Sequence, residues 1–274
     1  MEPVNPWRRA FTGLVAHRGG AKEAPENTLY AFHRGLASGA DALELDVQGT
    51  ADGVPVVLHD ETLLRVAGAD ERVDALTAEQ VRVLDPCAHW PSAAGVATGL
   101  RPPPPGFTRD AFRIPTLEEV LATFPGVPTI VELKETAPVG AVAELLSKWH
   151  RTADVLVASF DETLTDAVQA LLPEVRTGPG IAGVQLFGDG GTVRRDAFLV
   201  PASVQGEPLV TAGFVERAHE DGMGVLVWTI DDLEEARRLV ALHVDMLVTD
   251  RPAALLPIVE AQVDPQRVRE AYER

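Results

Sequence analysis

Glu44 and Asp46 stand two residues apart in Ala42-Leu43-Glu44-Leu45-Asp46-Val47, and Glu132 and Lys134 repeat that spacing in Thr129-Ile130-Val131-Glu132-Leu133-Lys134. Both segments have strand composition, and strand side chains alternate between faces, so each polar pair shares one face and the aliphatic residues share the other. Two carboxylates stacked on a strand repel each other unless a cation sits between them or water surrounds them. Glu44, Asp46 and Glu132 together form an all-oxygen set, and with Cys87 as the only cysteine no Cys-rich site competes. Oxygen ligands select a hard divalent cation, Mg²⁺ or Ca²⁺, with Mn²⁺ a further candidate. His17 closes the apolar run Leu14-Val15-Ala16 and His59 closes Val54–Leu58, which places two imidazoles at strand ends as general acid and general base. Arg18 offers a planar fork and Lys134 a point charge for phosphate oxygens. Trp228, on the segment Val225–Ile230, supplies an apolar wall for the rest of a substrate. A metal, two histidines and two cations are the parts of a phosphoryl-transfer site.

Taken singly, each feature has an ordinary structural explanation: a solvated strand edge, a hydrogen-bonded histidine, a core tryptophan, or at Asp250 a turn cap ahead of Pro252. What makes the set specific is that all its members fall at strand ends. His33, His150, His219 and His243 lie in or near helices without such neighbours and read as structural or surface residues, and His89 and Cys87 receive no role.

The elements that must position these groups follow a rhythm. Strands are expected at Leu14–His17, Ala42–Val47, Thr129–Leu133, Val155–Ser159, Val175–Gly180, Ala197–Val200, Val225–Ile230 and Met246–Thr249. An additional short strand, Val54–Leu58, follows the turn Ala51-Asp52-Gly53. Helices are expected from Leu29 to near Gly39, with Asn27 or Thr28 as N-cap, and at Thr116–Phe124, Val139–Trp149, Glu162–Leu172, Val210–Asp221, Leu233–Leu242 and Ala253–Val259. Eight strand slots alternating with helices over ~250 residues match a (β/α)₈ TIM barrel, whose catalytic groups gather at the C-terminal strand ends. The first strand-to-helix turn is His-Arg-Gly-Gly rather than a dinucleotide-binding glycine turn, and no P-loop occurs. Residues 61–113 break the rhythm with an acidic stretch, a short helix at Thr77–Leu84 and the run Pro102-Pro103-Pro104-Pro105-Gly106. They read as a small insertion or cap after the second barrel strand, within one domain spanning 1–274. Residues 1–10 read as an exposed arm.

Composition narrows the partners. With 41 acidic against 24 basic residues, a net charge of −17, the chain lacks the basic face that nucleic-acid binding needs. An anionic substrate must therefore meet a local positive field from a metal and a few placed cations. No window approaches the ~18–20 apolar residues of a membrane span, and the N-terminus lacks a signal-peptide core, so a cytoplasmic protein without stable membrane insertion is expected. The oligomeric state is not legible.

In order along the chain, His17-Arg18-Gly19, Ala24-Pro25-Glu26-Asn27-Thr28, Glu44-Leu45-Asp46-Val47, Leu58-His59-Asp60, Ile114-Pro115-Thr116-Leu117, Glu132-Leu133-Lys134, Val227-Trp228-Thr229 and Thr249-Asp250-Arg251-Pro252 resemble the glycerophosphodiester phosphodiesterases of the (β/α)₈ type. The resemblance runs from about Leu14 to Leu255. It implies a divalent cation held by Glu44, Asp46 and Glu132, His17 and His59 as the acid/base pair, and Arg18 and Lys134 on the phosphate. It also implies cleavage of a small-molecule glycerophosphodiester to sn-glycerol 3-phosphate and an alcohol, by direct water attack or through a cyclic phosphate, and a small cap corresponding to residues 61–113. Departures are equally specific. Val175–Gln205 matches poorly, His243 precedes Val244-Asp245 where a glycine is usual, and Arg65-Val66-Ala67-Gly68 replaces a threonine-rich run after the His-Asp pair. Two alternatives stand beside this expectation. A lysophospholipase D would need an apolar entrance, for which the insertion offers Trp90, Phe107 and Phe112. The other is a catalytically silent phosphodiester-binding module. Gly19 and Gly20 are expected to let the backbone turn beside the substrate, so that a bulky residue at Gly19 harms activity more than stability.

Overall fold

The computed structural model describes residues 5–262. Its strands are β1 (Gly13–Ala16), β2 (Ala42–Gly49), β3 (Pro55–Val57), β4 (Thr129–Leu133), β5 (Val155–Ala158), β6 (Arg176–Thr177), β7 (Ala197–Pro201), β8 (Ser203–Val204), β9 (Glu207–Pro208), β10 (Gly224–Trp228) and β11 (Met246–Thr249). Its helices are α1 (Leu29–Ala37), α2 (Leu64–Ala67), α3 (Ala78–Arg82), α4 (Leu117–Thr123), α5 (Val139–Lys148), α6 (Glu162–Leu171), α7 (Ile181–Gly188), α8 (Ala212–Glu220), α9 (Leu233–Ala241) and α10 (Pro252–Glu260). Eight strands run parallel in the order β6-β5-β4-β2-β1-β11-β10-β7, the (β/α)₈ barrel that the strand-helix rhythm predicts. The barrel is nearly closed. Between its terminal strands β6 and β7, the Asp196 amide donates to the Thr177 carbonyl at 2.9 Å. The Asp196 carboxylate accepts from the Thr177 amide at 2.9 Å and from Arg176 Nη1 at 2.8 Å.

The period-two alternation of the strands builds two apolar layers. Leu43, Leu45 and Val47 of β2, with Val131 and Leu133 of β4, face outward and pack under the helices in the main core. Val15, Ala42, Ile130, Leu156, Ala197, Leu226, Met246 and Val248 pack together inside the barrel. Trp7 belongs to this inner cluster and is 0% exposed, so the expectation of an exposed arm fails over residues 5–9, while Ala10 is exposed. An indole cannot stay in water when the apolar barrel interior is within its reach. The segment is also held by the Arg9 amide and Arg8 Nη1, which donate to the buried Asp245 carboxylate at 2.7 and 3.1 Å. The first four residues of that stretch lie outside the described residues.

Three local features depart from the sequence expectation. β6 is two residues long rather than the six of Val175–Gly180, and α7 forms in a stretch for which no element is expected. A small hairpin, β8–β9, follows β7. In the region 61–113, α3 replaces the longer Thr77–Leu84 helix, and Thr77 and Gln80 close its N-terminus with a reciprocal capping box. Two small cores hold this region. One is centred on Leu63, Val66 and Val73, the other on Cys87, Val96 and Phe112.

Candidate active site

β2 and β4 set the geometry. Their register pairs Glu44 with Ile130 and Asp46 with Glu132, and the even positions of both strands point into the barrel. Above the apolar layer of Ala42 and Ile130, the next inward residues are therefore Glu44, Asp46 and Glu132. One carboxylate oxygen from each lies within 4.8 Å of the others. After β2 the chain reverses through β3, which pairs antiparallel with it. The Leu58 amide then donates to the Asp46 carbonyl at 3.0 Å, which brings His59 back to the mouth beside the cluster.

Two cations meet the carboxylates. Lys134 grips Glu132 and lies 2.9 Å from Asp46 Oδ1, while Arg18 Nε lies 3.2 Å from Asp46 Oδ2. Asn27 Nδ2 also donates to Asp46 Oδ2 at 3.0 Å. Burial alone would push Asp46 up, but the charges of Lys134 and Arg18 outweigh it and hold the group below the ordinary carboxylate range. Glu44 is less compensated: the Arg18 amide donates to its Oε2 at 2.9 Å, and the charges of His17 and Arg18 favour its anion without outweighing burial. Burial, and then the charge of Asp46, push its carboxyl up to about 8. Asp46 Oδ1 is buried without an aligned hydrogen bond. Three ionised carboxylates would outnumber the two cations, Arg18 and Lys134, that meet them, which fits a divalent cation on these three oxygen donors.

Each histidine is oriented by an aspartate. His17 Nδ1 lies 2.6 Å from Asp250 Oδ1 and His59 Nδ1 lies 2.6 Å from Asp60 Oδ1. A carboxylate only accepts, so Nδ1 carries the proton in both rings, and Nε2 is the nitrogen left for chemistry. His17 Nε2 lies 3.9 Å from Glu44 Oε2. Burial lowers the proton affinity of His17, but the Glu44 charge and the Asp250 hydrogen bond outweigh it and raise its pKa above the ordinary 6.5.

All eight residues singled out by type and spacing lie at this end of the barrel. His17, Arg18, Glu44, His59, Glu132, Lys134 and Trp228 line one cavity of about 110 Å³, with Asp46 beneath them. Two larger spaces adjoin it. One of about 500 Å³ runs past His59, Asp60, Glu61, Thr62 and Lys134. An apolar one of about 570 Å³ is walled by Phe160, Ile181, Val184, Leu199, Val204 and Trp228. The apolar entrance is therefore formed by β5–α6, α7 and the β8–β9 hairpin, not by the insertion. Phe107 and Phe112 instead pack on Tyr30, with ring centroids 4.8 and 4.4 Å away, and Trp90 joins the same cluster.

Several residues have a different part from the one their sequence context suggests. Asp250 is the partner of His17 rather than a turn cap, and Asp60 holds His59. Thr28 caps α1, whereas Asn27, at φ 55°, reaches Asp46. Phe160 was missed, although it follows directly on a strand end, the signal that exposed the other site residues. Gly19 does not make room for a substrate. A Cβ there would sit 2.6 Å from the backbone carbon of Ala31 at φ +84°, so α1 is what demands glycine.

The profile of the Glycerophosphoryl diester phosphodiesterase family matches residues 17–254. The chain is similar to a glycerophosphodiester phosphodiesterase of Caldanaerobacter subterraneus subsp. tengcongensis, 29% identical over 263 residues, covering 90% of this chain and 98% of that one. It is also similar to the crystal structure of a glycerophosphodiester phosphodiesterase from Agrobacterium tumefaciens. The TM-score is 0.70 at 26% identity, over 88% of this chain and 97% of the other. A phosphodiesterase of Oleispira antarctica, solved in complex with the product sn-glycerol-3-phosphate, aligns with a TM-score of 0.71 at 25% identity over 91% and 97% of the two chains.

Proposed function

The chain belongs to the glycerophosphoryl diester phosphodiesterase family, and from that premise we propose that it hydrolyses glycerophosphodiesters to sn-glycerol 3-phosphate and an alcohol at the site between β2 and β4. The observation that carries this is the shared cavity of about 110 Å³, where two imidazoles, a guanidinium, an ammonium and the carboxylates meet. Arg18 and Lys134 bind the phosphate oxygens and draw the anion into an otherwise acidic molecule. One histidine removes through Nε2 a proton from the attacker, either water itself or a glycerol hydroxyl whose cyclic phosphate water then opens, and the other delivers a proton to the departing alkoxide. Asp250 and Asp60 keep both rings in the tautomer this requires. Glu44, Asp46 and Glu132 are the ligands for a divalent cation, which when bound supplies charge neutralisation at the phosphate. Trp228 and Phe160, with ring centroids 5.8 Å apart, wall the side on which one arm of the diester lies. Residues 61–113 form a small cap of the same domain.

The apolar cavity of about 570 Å³ favours a second reading, cleavage of lysophospholipids. Ile181 and Val204 on its walls are 53% and 50% exposed, which gives an acyl chain a route in from solvent. Among the described residues no helix is long and apolar enough to cross a membrane, so such a lipid would arrive as a monomer or from a surface. A substrate panel decides between the two. Glycerophosphocholine, glycerophosphoethanolamine and lysophosphatidylcholine are assayed with EDTA and after Mg²⁺ or Ca²⁺ is restored. Turnover of the glycerophosphodiesters that EDTA abolishes and metal restores is the expected result. Faster turnover of lysophosphatidylcholine would favour the second reading, and turnover indifferent to chelation would remove the metal from the account.

A further inference from the structure

Arg65 lies in α2, at the start of the insertion, where the motifs of the site give no reason for an arginine. Its backbone is fixed between Leu63 and Val66, which are 0% and 6% exposed in a small core. Its guanidinium reaches out of that core to two carboxylates at once. Nε donates to Asp60 Oδ2 at 2.6 Å and Nη2 to Asp60 Oδ1 at 3.2 Å. Nη1 donates to Glu26 Oε2 at 2.7 Å and Nη2 to Glu26 Oε1 at 2.8 Å. Each carboxylate also serves a site residue. Asp60 Oδ1 holds His59 Nδ1, and Glu26 Oε1 accepts from Arg18 Nη1 at 3.2 Å. The result is a continuous chain of charge-assisted bonds, His59–Asp60–Arg65–Glu26–Arg18, with Arg65 at its centre.

We propose that Arg65 is a positioning residue for phosphodiester cleavage, fixing the imidazole of His59 and the guanidinium of Arg18 in one arrangement by gripping Asp60 and Glu26 together. This rests on the roles of His59 and Arg18 proposed above. Only a planar fork with donors on both edges can satisfy two carboxylates in this way, and a lysine cannot replace it. An exposed ion pair contributes little to stability, and the Arg65 side chain is 47% exposed. Its value is therefore orientation. The grip also keeps Asp60 an acceptor. Burial would raise its pKa, but the bonds from Arg65 and His59 outweigh it and hold it below the ordinary carboxylate range. As an anion Asp60 fixes the His59 proton on Nδ1 and leaves Nε2 toward the cavity. The insertion thereby reaches the chemistry without contributing a residue to it.

The test compares Arg65→Ala, Arg65→Lys, Asp60→Asn and the Arg65→Ala/Asp60→Asn double variant with the unaltered protein. It measures kcat and KM on glycerophosphocholine and thermal melting for each. Removing a partner that orients a reacting group costs about 10–100-fold, so Arg65→Ala is expected to lower kcat by that factor with its melting temperature held. Arg65→Lys recovers part of the loss, because an ammonium can hold one carboxylate but not both. The double variant falls short of the product of the two single losses, because both changes act on the His59 imidazole and only the hold of Arg65 on Arg18 through Glu26 adds to the loss. A kcat for Arg65→Ala within twofold of the unaltered protein overturns the proposal, as do losses that multiply in the double variant. If Arg65→Ala fails to fold, Arg65→Lys carries the test, and an unchanged kcat there overturns the proposal equally. Absence of diester turnover by the unaltered protein would instead overturn the proposed function itself, a result distinct from any of these.

Discussion

Two sides of the barrel mouth are built on opposite plans. On one side β2 and β4 run in register from Leu43 beside Thr129 to Val47 beside Leu133, and the inward residues of that stretch above the apolar layer, Glu44, Asp46 and Glu132, are all carboxylates. Arg18, Asn27, Lys134 and Asp60 then hold the carboxylates and His59 in place by hydrogen bonds and ion pairs. On the other side β6 contributes two residues, and the barrel closes on β7 through contacts to one aspartate, Asp196. Its wall is Phe160, Ile181, Val184, Leu199 and Val204, apolar side chains on a backbone tied by the Ile181 amide to the Phe160 carbonyl at 3.2 Å and by the Gly180 and Gly183 amides to Glu162 Oε1 at 3.1 Å. Glu132 and Trp228 line cavities on both sides and mark the boundary. The difference teaches a division of labour. The long paired strands fix the atoms that react, where a misplacement of 1 Å is costly. In the proposed function the short strands carry the surface that meets one arm of the substrate by apolar contact.

The largest expected effect falls on the polar side. His17→Ala and His59→Ala should each lower kcat by roughly 10²–10⁴-fold, the usual worth of general acid–base catalysis, with melting temperatures near that of the unaltered protein. Steady-state kinetics on glycerophosphocholine checks this, and full activity in either variant would break the assignment of chemistry to this side. A smaller and more selective effect belongs to the apolar side. Ile181→Asp should lower kcat/KM for lysophosphatidylcholine by about tenfold, the order expected from losing one buried aliphatic contact, while glycerophosphocholine turnover stays within about twofold. Equal losses on both substrates would erase the division between the two sides. No loss on either would leave the apolar wall without a part in binding.

The same contrast explains what could be read from the sequence. β2 and β4 are long enough for period-two alternation to show, so Glu44, Asp46, Glu132 and Lys134 were legible as inward-facing pairs before any fold was known. His17 and His59 were legible because each ends an apolar run. Asp250 and Asp60 were visible as strand-end residues, but their pairing with the histidines depends on contacts across 233 residues in one case and on a side-chain rotation in the other. α7 and the two-residue β6 were not legible, since Gly and Pro around residues 178–180 hide a periodicity too short to register. Trp7 was misread because its burial comes from packing on barrel residues as far along the chain as Met246 and Val248, which no local pattern announces. Gly19 makes the tight turn expected of it, at φ +84°, but its crowding was not legible. The close approach is to the backbone of α1, so its replacement should cost stability first.

The central claim is that Glu44, Asp46 and Glu132 together hold a cation on which turnover depends. Calorimetric titration of Mg²⁺ and Ca²⁺ into the metal-free protein and into its Glu44→Gln variant tests it most directly. The expected result is a single site in the unaltered protein for at least one of the two ions, weakened tenfold or more in Glu44→Gln, with the metal concentration needed for half-maximal turnover displaced in the same direction. Equal affinity in the two proteins, or no binding of either ion to the unaltered one, would contradict it.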